Sequence, residues 1–148
     1  ANQLTHWQRL RMLEGLPDIA TVPRVANWLD AGETVDARAR AYLDINCAHC
    51  HSAVGPGNTS GLWLASDVHD PLRLGRCKLP IAAGHGTGDR RFGIVPGKPD
   101  ESILAYRMAS NDPGVMMPEL GRSVTHAEGV ELIRQWIAEQ HGDCGPRG

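Results

Sequence analysis

Two of the four cysteines stand three residues apart and are followed at once by a histidine, in Cys47-Ala48-His49-Cys50-His51. Thiols at that spacing lie roughly one helical turn apart, close enough to reach the two vinyl groups of a single porphyrin. The next residue then presents its imidazole to the iron from the same side. Cys-x-x-Cys-His is the attachment pattern of a c-type haem, and the Cys and His frequencies of this chain give about 0.005 chance matches over its length. On this reading Cys47 and Cys50 hold one covalently attached haem c and His51 ligates its iron. His49, between the cysteines, is expected to be solvated.

Two other chemistries use a Cys-x-x-Cys pair. A structural zinc site takes four ligands, usually from a second Cys or His pair. Here His6, His69, His85, His126 and His141 are scattered, with no second close pair. A thioredoxin-like redox site sits in a βαβ setting, and no strand pattern precedes Cys47. The series Gly84-His85-Gly86-Thr87-Gly88 superficially resembles a phosphate loop. It lacks the following Lys-Ser/Thr and reads as a plain loop.

The motif needs a helix to carry it. Thr34 is a good N-cap, and Asp36 places a negative charge in the first turn. Val35, Ala39, Tyr42, Leu43 and Asn46 then follow helical spacing into Cys47. Residues 52–61 form a loop, and residues 62–97 hold no convincing long helix. Seven of the 17 glycines fall between Gly55 and Gly88, so this stretch is expected to be irregular. A helix after Pro99-Asp100 carries Ile103, Leu104, Arg107 and Met108 on one stripe, and a loop over 110–123 contains Met116-Met117-Pro118. The last helix opens on Thr125-His126-Ala127-Glu128, a capping-box pattern. Its face of Gly129, Ile133, Trp136, Ile137 and Gln140 is mostly apolar, and Gly142 is expected to end it. Upstream, Leu4, Trp7, Leu10 and Leu13 recur at threes and predict a short helix over 4–13, before Gly15, Pro17 and Pro23 break regularity. Trp7 and Trp28 are expected to be packing anchors.

These elements describe an all-α chain with long irregular loops. A length of 148 residues argues for one domain with a short extension: 1–33 as N-terminal extension or connector, and 34–148 as the domain. A hydrophobic share of 41% with 22% charged residues is ordinary for a globular chain. Fifteen basic against 17 acidic residues give a net charge of -2, which argues against a protein built to hold nucleic acid or an anionic membrane. No apolar run approaches the roughly 18 residues a membrane helix needs. Aromatics are only 5% of the chain, which suggests that something other than Phe and Tyr fills the middle.

Together, Cys47-Ala48-His49-Cys50-His51, Met117-Pro118 and a terminal helix with Trp136-Ile137 resemble a class I c-type cytochrome over roughly residues 34–141. The stretch Ile94-Val95-Pro96-Gly97-Lys98-Pro99-Asp100-Glu101-Ser102-Ile103-Leu104 is similar to one in the c-type domains of large secreted bacterial proteins, where it precedes the Met-Pro ligand loop. The resemblance implies cytochrome c-like helices around one covalently bound haem, with first and last helices crossing. Here that means the Ala39/Tyr42 face against the Gly129/Trp136 face. It also implies His51 and a methionine as axial ligands. Met12 lies in the extension and Met108 reads as core, and of Met116 and Met117 only Met117 precedes a proline. Pro118 biases Met117 toward an extended backbone that can hold its thioether toward the iron, which favours Met117 as the distal ligand, with Met116 as the alternative. One departure is the long Gly-rich insert, since His51 and Met117 are 66 positions apart.

Such ligation would make the chain an electron carrier rather than an enzyme, either by itself or as the cytochrome domain of a larger redox protein. Its partners would be redox proteins, a donor dehydrogenase and an acceptor cytochrome or oxidase. The resemblance places it in the periplasm or otherwise exported; Ala1 to Glu14 has no apolar h-region, so a processed form or a piece of a longer chain is expected. The competing function is a haem enzyme or ligand sensor with a vacant or displaceable sixth site, served by distal groups such as His85 or His126. With two thiols used by the haem, Cys77 and Cys144 remain, and an exported protein rarely leaves such thiols unpaired, so a disulfide between them is expected. The haem carboxylates need donors, for which Arg76, Arg90, Arg91, Arg107 and the Trp63 indole are candidates.

Overall fold

The first two helices start where a side chain accepts from their first N–H groups, Asn2 before one and Thr34 before the other. The computed structural model describes residues 2–145, with four α-helices: α1 (Gln3–Arg9), α2 (Val35–Leu43), α3 (Ile103–Ala109) and α4 (Ala127–Ala138). Residues 146–148 of the expected domain lie outside the described residues. The Thr34 hydroxyl accepts from the Ala37 N–H at 3.1 Å and opens α2. Ahead of α3, a 3₁₀ turn over Pro99–Glu101 follows a loop closed by Ser102. The fully buried Ser102 hydroxyl donates to Lys98 O at 2.8 Å and accepts from Val95 N at 2.9 Å. The Ile94–Leu104 stretch is thus a stapled turn, tied to α4 by the Gly97 N–H donating to Ile137 O at 2.9 Å.

The chain is mostly helix and irregular loop; among the described residues the only strand-like pairings are isolated bridges, Arg76 with Ile94 and Phe92 with Ser102. Helices α2 and α4 pack together through the expected faces. A β-carbon at Gly129 would overlap the Tyr42 ring, so the absence of a side chain is what lets the helices approach. The Trp136 indole N–H donates to Asp36 Oδ1 at 2.7 Å, joining the last helix to the first turn of α2. Leu43, Leu64, Ile94, Ile133 and Ile137 are the largest wholly buried apolar side chains, and Cys47 packs against that core.

The insert between the motif and α3 has no α-helix and is fastened by side chains. Arg40 of α2 donates to Ala65 O at 3.0 Å and to Val68 O at 2.5 Å, and Asp44 Oδ1 accepts from Ser66 N at 2.9 Å. Cys77 and Cys144 form the expected disulfide, with α-carbons 5.0 Å apart, and join the insert to the segment after α4.

Several expectations about the helices and the Trp7 anchor are corrected. The first helix covers 3–9 rather than 4–13, and none of its residues is buried. Residues repeating at threes drift around a 3.6-residue helix, so Leu4, Trp7, Leu10 and Leu13 never make one face. Trp7 is 37% exposed and anchors nothing in the core, whereas Trp28 packs edge-on against Tyr42 and His126. At α4 the capping box is not formed: Thr125 Oγ1 donates to Asn111 Oδ1 at 2.8 Å and His126 stands at the N-cap. Helix α4 also stops at Ala138, short of Gly142, and Leu132 rather than Gln140 completes its buried face. No helix among the described residues is long and apolar enough to cross a membrane.

Candidate functional site

Helix α2 does not stop at Leu43. It widens into a π turn over Asp44–Ala48 and then tightens again, with the N–H groups of Cys50 and His51 donating to Cys47 O at 3.1 and 2.8 Å. Such widened turns are frequent at functional positions. Cys47, Cys50 and His51 therefore sit on one continuous turn held by the helix that crosses α4. Neither Cys47 nor Cys50 is in a disulfide, although the other two cysteines are joined.

The thiols are half-buried, and burial, followed by the neighbouring Cys50, pushes the Cys47 thiol up to about 11. It stays protonated at neutral pH. A thiol–disulfide exchange site relies on the opposite shift, a lowered pKa that supplies thiolate. The geometry disfavours the thioredoxin-like alternative on that ground.

The chain then folds tightly back over the motif. A β-carbon at Gly55 would collide with Cys50 O, and one at Gly57 would lie 3.2 Å from His51 Nδ1. Gly57 N donates to Cys50 O at 2.9 Å, and Leu64 N donates to His51 O at 2.9 Å. These contacts bring Ser60 Oγ to 3.2 Å from His51 Nδ1. Burial, and secondly the Arg107 cation, hold the His51 imidazole below its ordinary pKa, while Glu119 pulls weakly the other way. The neutral imidazole is the form that ligates a metal.

Arg107 and Glu119 belong to the methionine segment. Met117 N donates to Arg107 O at 3.0 Å, Arg107 Nε donates to Val115 O at 2.8 Å, and Glu119 lies two residues beyond Met117 at 4.0 Å from the Arg107 guanidinium. The structure thus brings the loop bearing Met116 and Met117 into the electrostatic surroundings of His51, across 66 positions of sequence. Both methionines are half-buried, whereas Met108 is buried in the core and Met12 is 71% exposed.

The arginine candidates separate. Arg76 donates to His141 O, and Arg90 donates to Asp100 O at 2.7 Å and Gly88 O at 2.8 Å while stacking on Tyr106. Arg91 lies over Phe92, and Trp63 carries the Arg73 guanidinium on its ring. Of these, only Arg107 acts electrostatically on His51. Of the remaining histidines, His49 is exposed as expected. His126 Nδ1 is 2.9 Å from Tyr42 Oη, on the α2–α4 contact. Exposed His85 lies against Gly114.

No family model matches the chain, and no curated protein or solved structure does. The assignment therefore rests on the chemistry of the residues. That chemistry fits a covalent haem: two unpaired thiols at i and i+3, an imidazole on the same turn with Nδ1 occupied, and a methionine segment whose Glu119, with Arg107, acts electrostatically on that imidazole. Among the described residues no three or more His, Cys, Asp or Glu side chains converge on an ion. A porphyrin brings four nitrogens of its own and asks the protein for one or two ligands, so the small donor set is adequate for it. Two concavities, of about 340 and 180 Å³, open along the Asp36–Arg40 edge of α2, and none of Cys47, Cys50, His51 or Met117 lines them. Sequence reasoning missed Ser60, which meets His51, and Arg122, which binds the carbonyls at the end of α3; both get there only through the way the loops fold.

Proposed function

We propose that the chain carries one haem c bound through Cys47 and Cys50, with His51 and Met117 as its axial ligands, and that it transfers single electrons between redox proteins. The observation that carries this reading is the placing of both unpaired thiols and His51 on one turn continuous with α2. When bound, the haem supplies an iron that cycles between ferric and ferrous states. The chain's part is to hold it still: α2, braced by Trp136 and Gly129 of α4, fixes the thiols, and the 110–123 loop presents the thioether. Arg107, only 17% exposed with an exposed carboxylate 4.0 Å away, is the cation best placed to receive a haem carboxylate. With His51 and Met117 both ligating, the iron would have no open position, which would make electron transfer rather than haem catalysis its chemistry. The Cys77–Cys144 disulfide supports export to an oxidising compartment such as the periplasm. A donor dehydrogenase and an acceptor cytochrome or oxidase are the partners this reading calls for.

The test is production of the chain in a host with c-type haem maturation. A pyridine haemochrome spectrum of thioether-linked haem, one haem per chain by mass, and no carbon monoxide binding to the reduced form are expected. A chain recovered with bound zinc and no haem overturns the reading, and ready carbon monoxide binding overturns the closed sixth site.

A further inference from the structure

We infer that Ser60 is a positioning residue for His51: its hydroxyl accepts the Nδ1–H proton, fixes the imidazole tautomer and orientation, and thereby tunes the redox site. This rests on the haem reading above and deepens it. A serine hydroxyl has one proton and two acceptor lone pairs. The Ser60 proton is committed to Gly57 O at 2.7 Å, and one lone pair accepts from Leu62 N at 3.2 Å. The remaining lone pair faces His51 Nδ1 at 3.2 Å. With its proton spent, Ser60 has only an acceptor to offer there, so Nδ1 carries the hydrogen and Nε2 carries the free lone pair. That is the tautomer a metal-ligating histidine on this turn requires, and the partner of the other ring nitrogen sets both ring orientation and ligand basicity.

The three contacts also lock one another. Gly57 lies against the imidazole because it has no β-carbon, and its carbonyl holds the Ser60 hydroxyl in place. Ser60 is therefore oriented before any iron binds. A neutral hydroxyl is a weaker acceptor than a carboxylate, so it leaves His51 a moderate electron donor and the ferrous state relatively favoured.

The test uses the haem-loaded wild type, Ser60→Ala and Ser60→Thr. In Ser60→Ala the Nδ1–H loses its acceptor, the imidazole becomes a poorer donor, and the midpoint potential should rise. Exchange of the ring N–H with solvent, followed by NMR in the diamagnetic reduced protein, should quicken roughly tenfold, as expected for one lost hydrogen bond. Ser60→Thr keeps the hydroxyl and should restore both values, which a purely structural role of the side chain would not require. Unchanged potential and exchange in a haem-loaded Ser60→Ala overturn the inference. Should that variant fail to fold, a wild-type ring proton that exchanges as fast as a solvated imidazole overturns it equally. A wild-type chain without thioether-linked haem overturns the underlying reading instead, and the absorption spectrum shows this before any variant is made.

Discussion

The four methionines divide by environment. Met12 is 71% exposed, Met108 is 6% exposed inside the core, and Met116 and Met117 share a half-buried loop joined to Arg107. Met117 has its N–H on Arg107 O and Pro118 behind it, whereas Met116 N donates back to Asp112 O at 2.7 Å within its own turn. Thioether ligation favours the ferrous state. Met117→Ala should therefore abolish the far-red sulfur-to-iron band of the oxidised protein and lower its potential, while Met116→Ala should keep the band. Disappearance of the band in the Met116 variant alone would move the ligand by one residue. At this scale the sequence is legible where covalent chemistry demands a local spacing. Cys47, Cys50 and His51 must share a turn, and the pattern says so. Ser60 is nine residues from His51 with no spacing rule between them; only the backbone path through Gly55 and Gly57 makes them neighbours.

Helix α2 reads well from sequence because its cap and its apolar stripe agree; α4 is legible from its stripe alone, its capping box being absent, and α1 reads poorly because only a spacing of three was available. The α2–α4 contact turns on Gly129. Alanine there gains about 1 kcal/mol in helix propensity, but its β-carbon would lie inside the Tyr42 ring. Overpacking of this kind costs about 1–3 kcal/mol and outweighs that gain, so Gly129→Ala should destabilise the protein by roughly 1 kcal/mol net in urea unfolding. A smaller partner, in Tyr42→Leu/Gly129→Ala, should recover part of that loss. The methionine loop is closed at its base by Arg122, whose guanidinium donates to Met108 O at 3.0 Å, Arg107 O at 3.3 Å and Ser110 O at 2.5 Å. These are the last carbonyls of α3, unsatisfied by the helix itself. Arg107 O also accepts from Met117 N, so one cation links the end of α3 to the ligand loop. Arg122→Ala should lower the urea midpoint for loss of the sulfur-to-iron band by more than the midpoint followed by far-ultraviolet circular dichroism. Equal shifts of the two midpoints would mean that Arg122 supports the whole fold and not the loop. Nothing in the sequence marks Arg122, because its role depends on where a loop of 12 or so residues returns.

On the scale of the whole molecule, the insert is where sequence reading was weakest. Its Gly and Pro content announces irregular structure but not its path, which is set by long-range fastenings: Arg40 to the carbonyls at Ala65 and Val68, Asp44 to Ser66, and Cys77 to Cys144. The disulfide could be anticipated by pairing the two leftover cysteines; its cost could not. Cys77 has a φ of 53°, in the left-handed region that a side chain disfavours by about 1 kcal/mol. Its N–H donates to Ile94 O at 2.9 Å, which holds the residue there alongside the cross-link. The bond joins positions 67 apart, and closing such a loop in the unfolded chain stabilises the fold by about 4 kcal/mol on the chain-entropy model. Cys77→Ser/Cys144→Ser removes the cross-link but keeps the unfavourable φ, so it should lose nearly all of that stabilisation. Cys77→Gly/Cys144→Ser relieves the backbone and should be the more stable of the two by about 1 kcal/mol. Both variants should carry a full complement of haem, since Cys47 and Cys50 are held on the turn that continues α2 and not by the disulfide. Urea unfolding of the two double variants beside the wild type checks the ordering. A Ser/Ser variant as stable as the wild type would show that Arg76 to His141 O and the Ile94 contacts already hold the chain end in place.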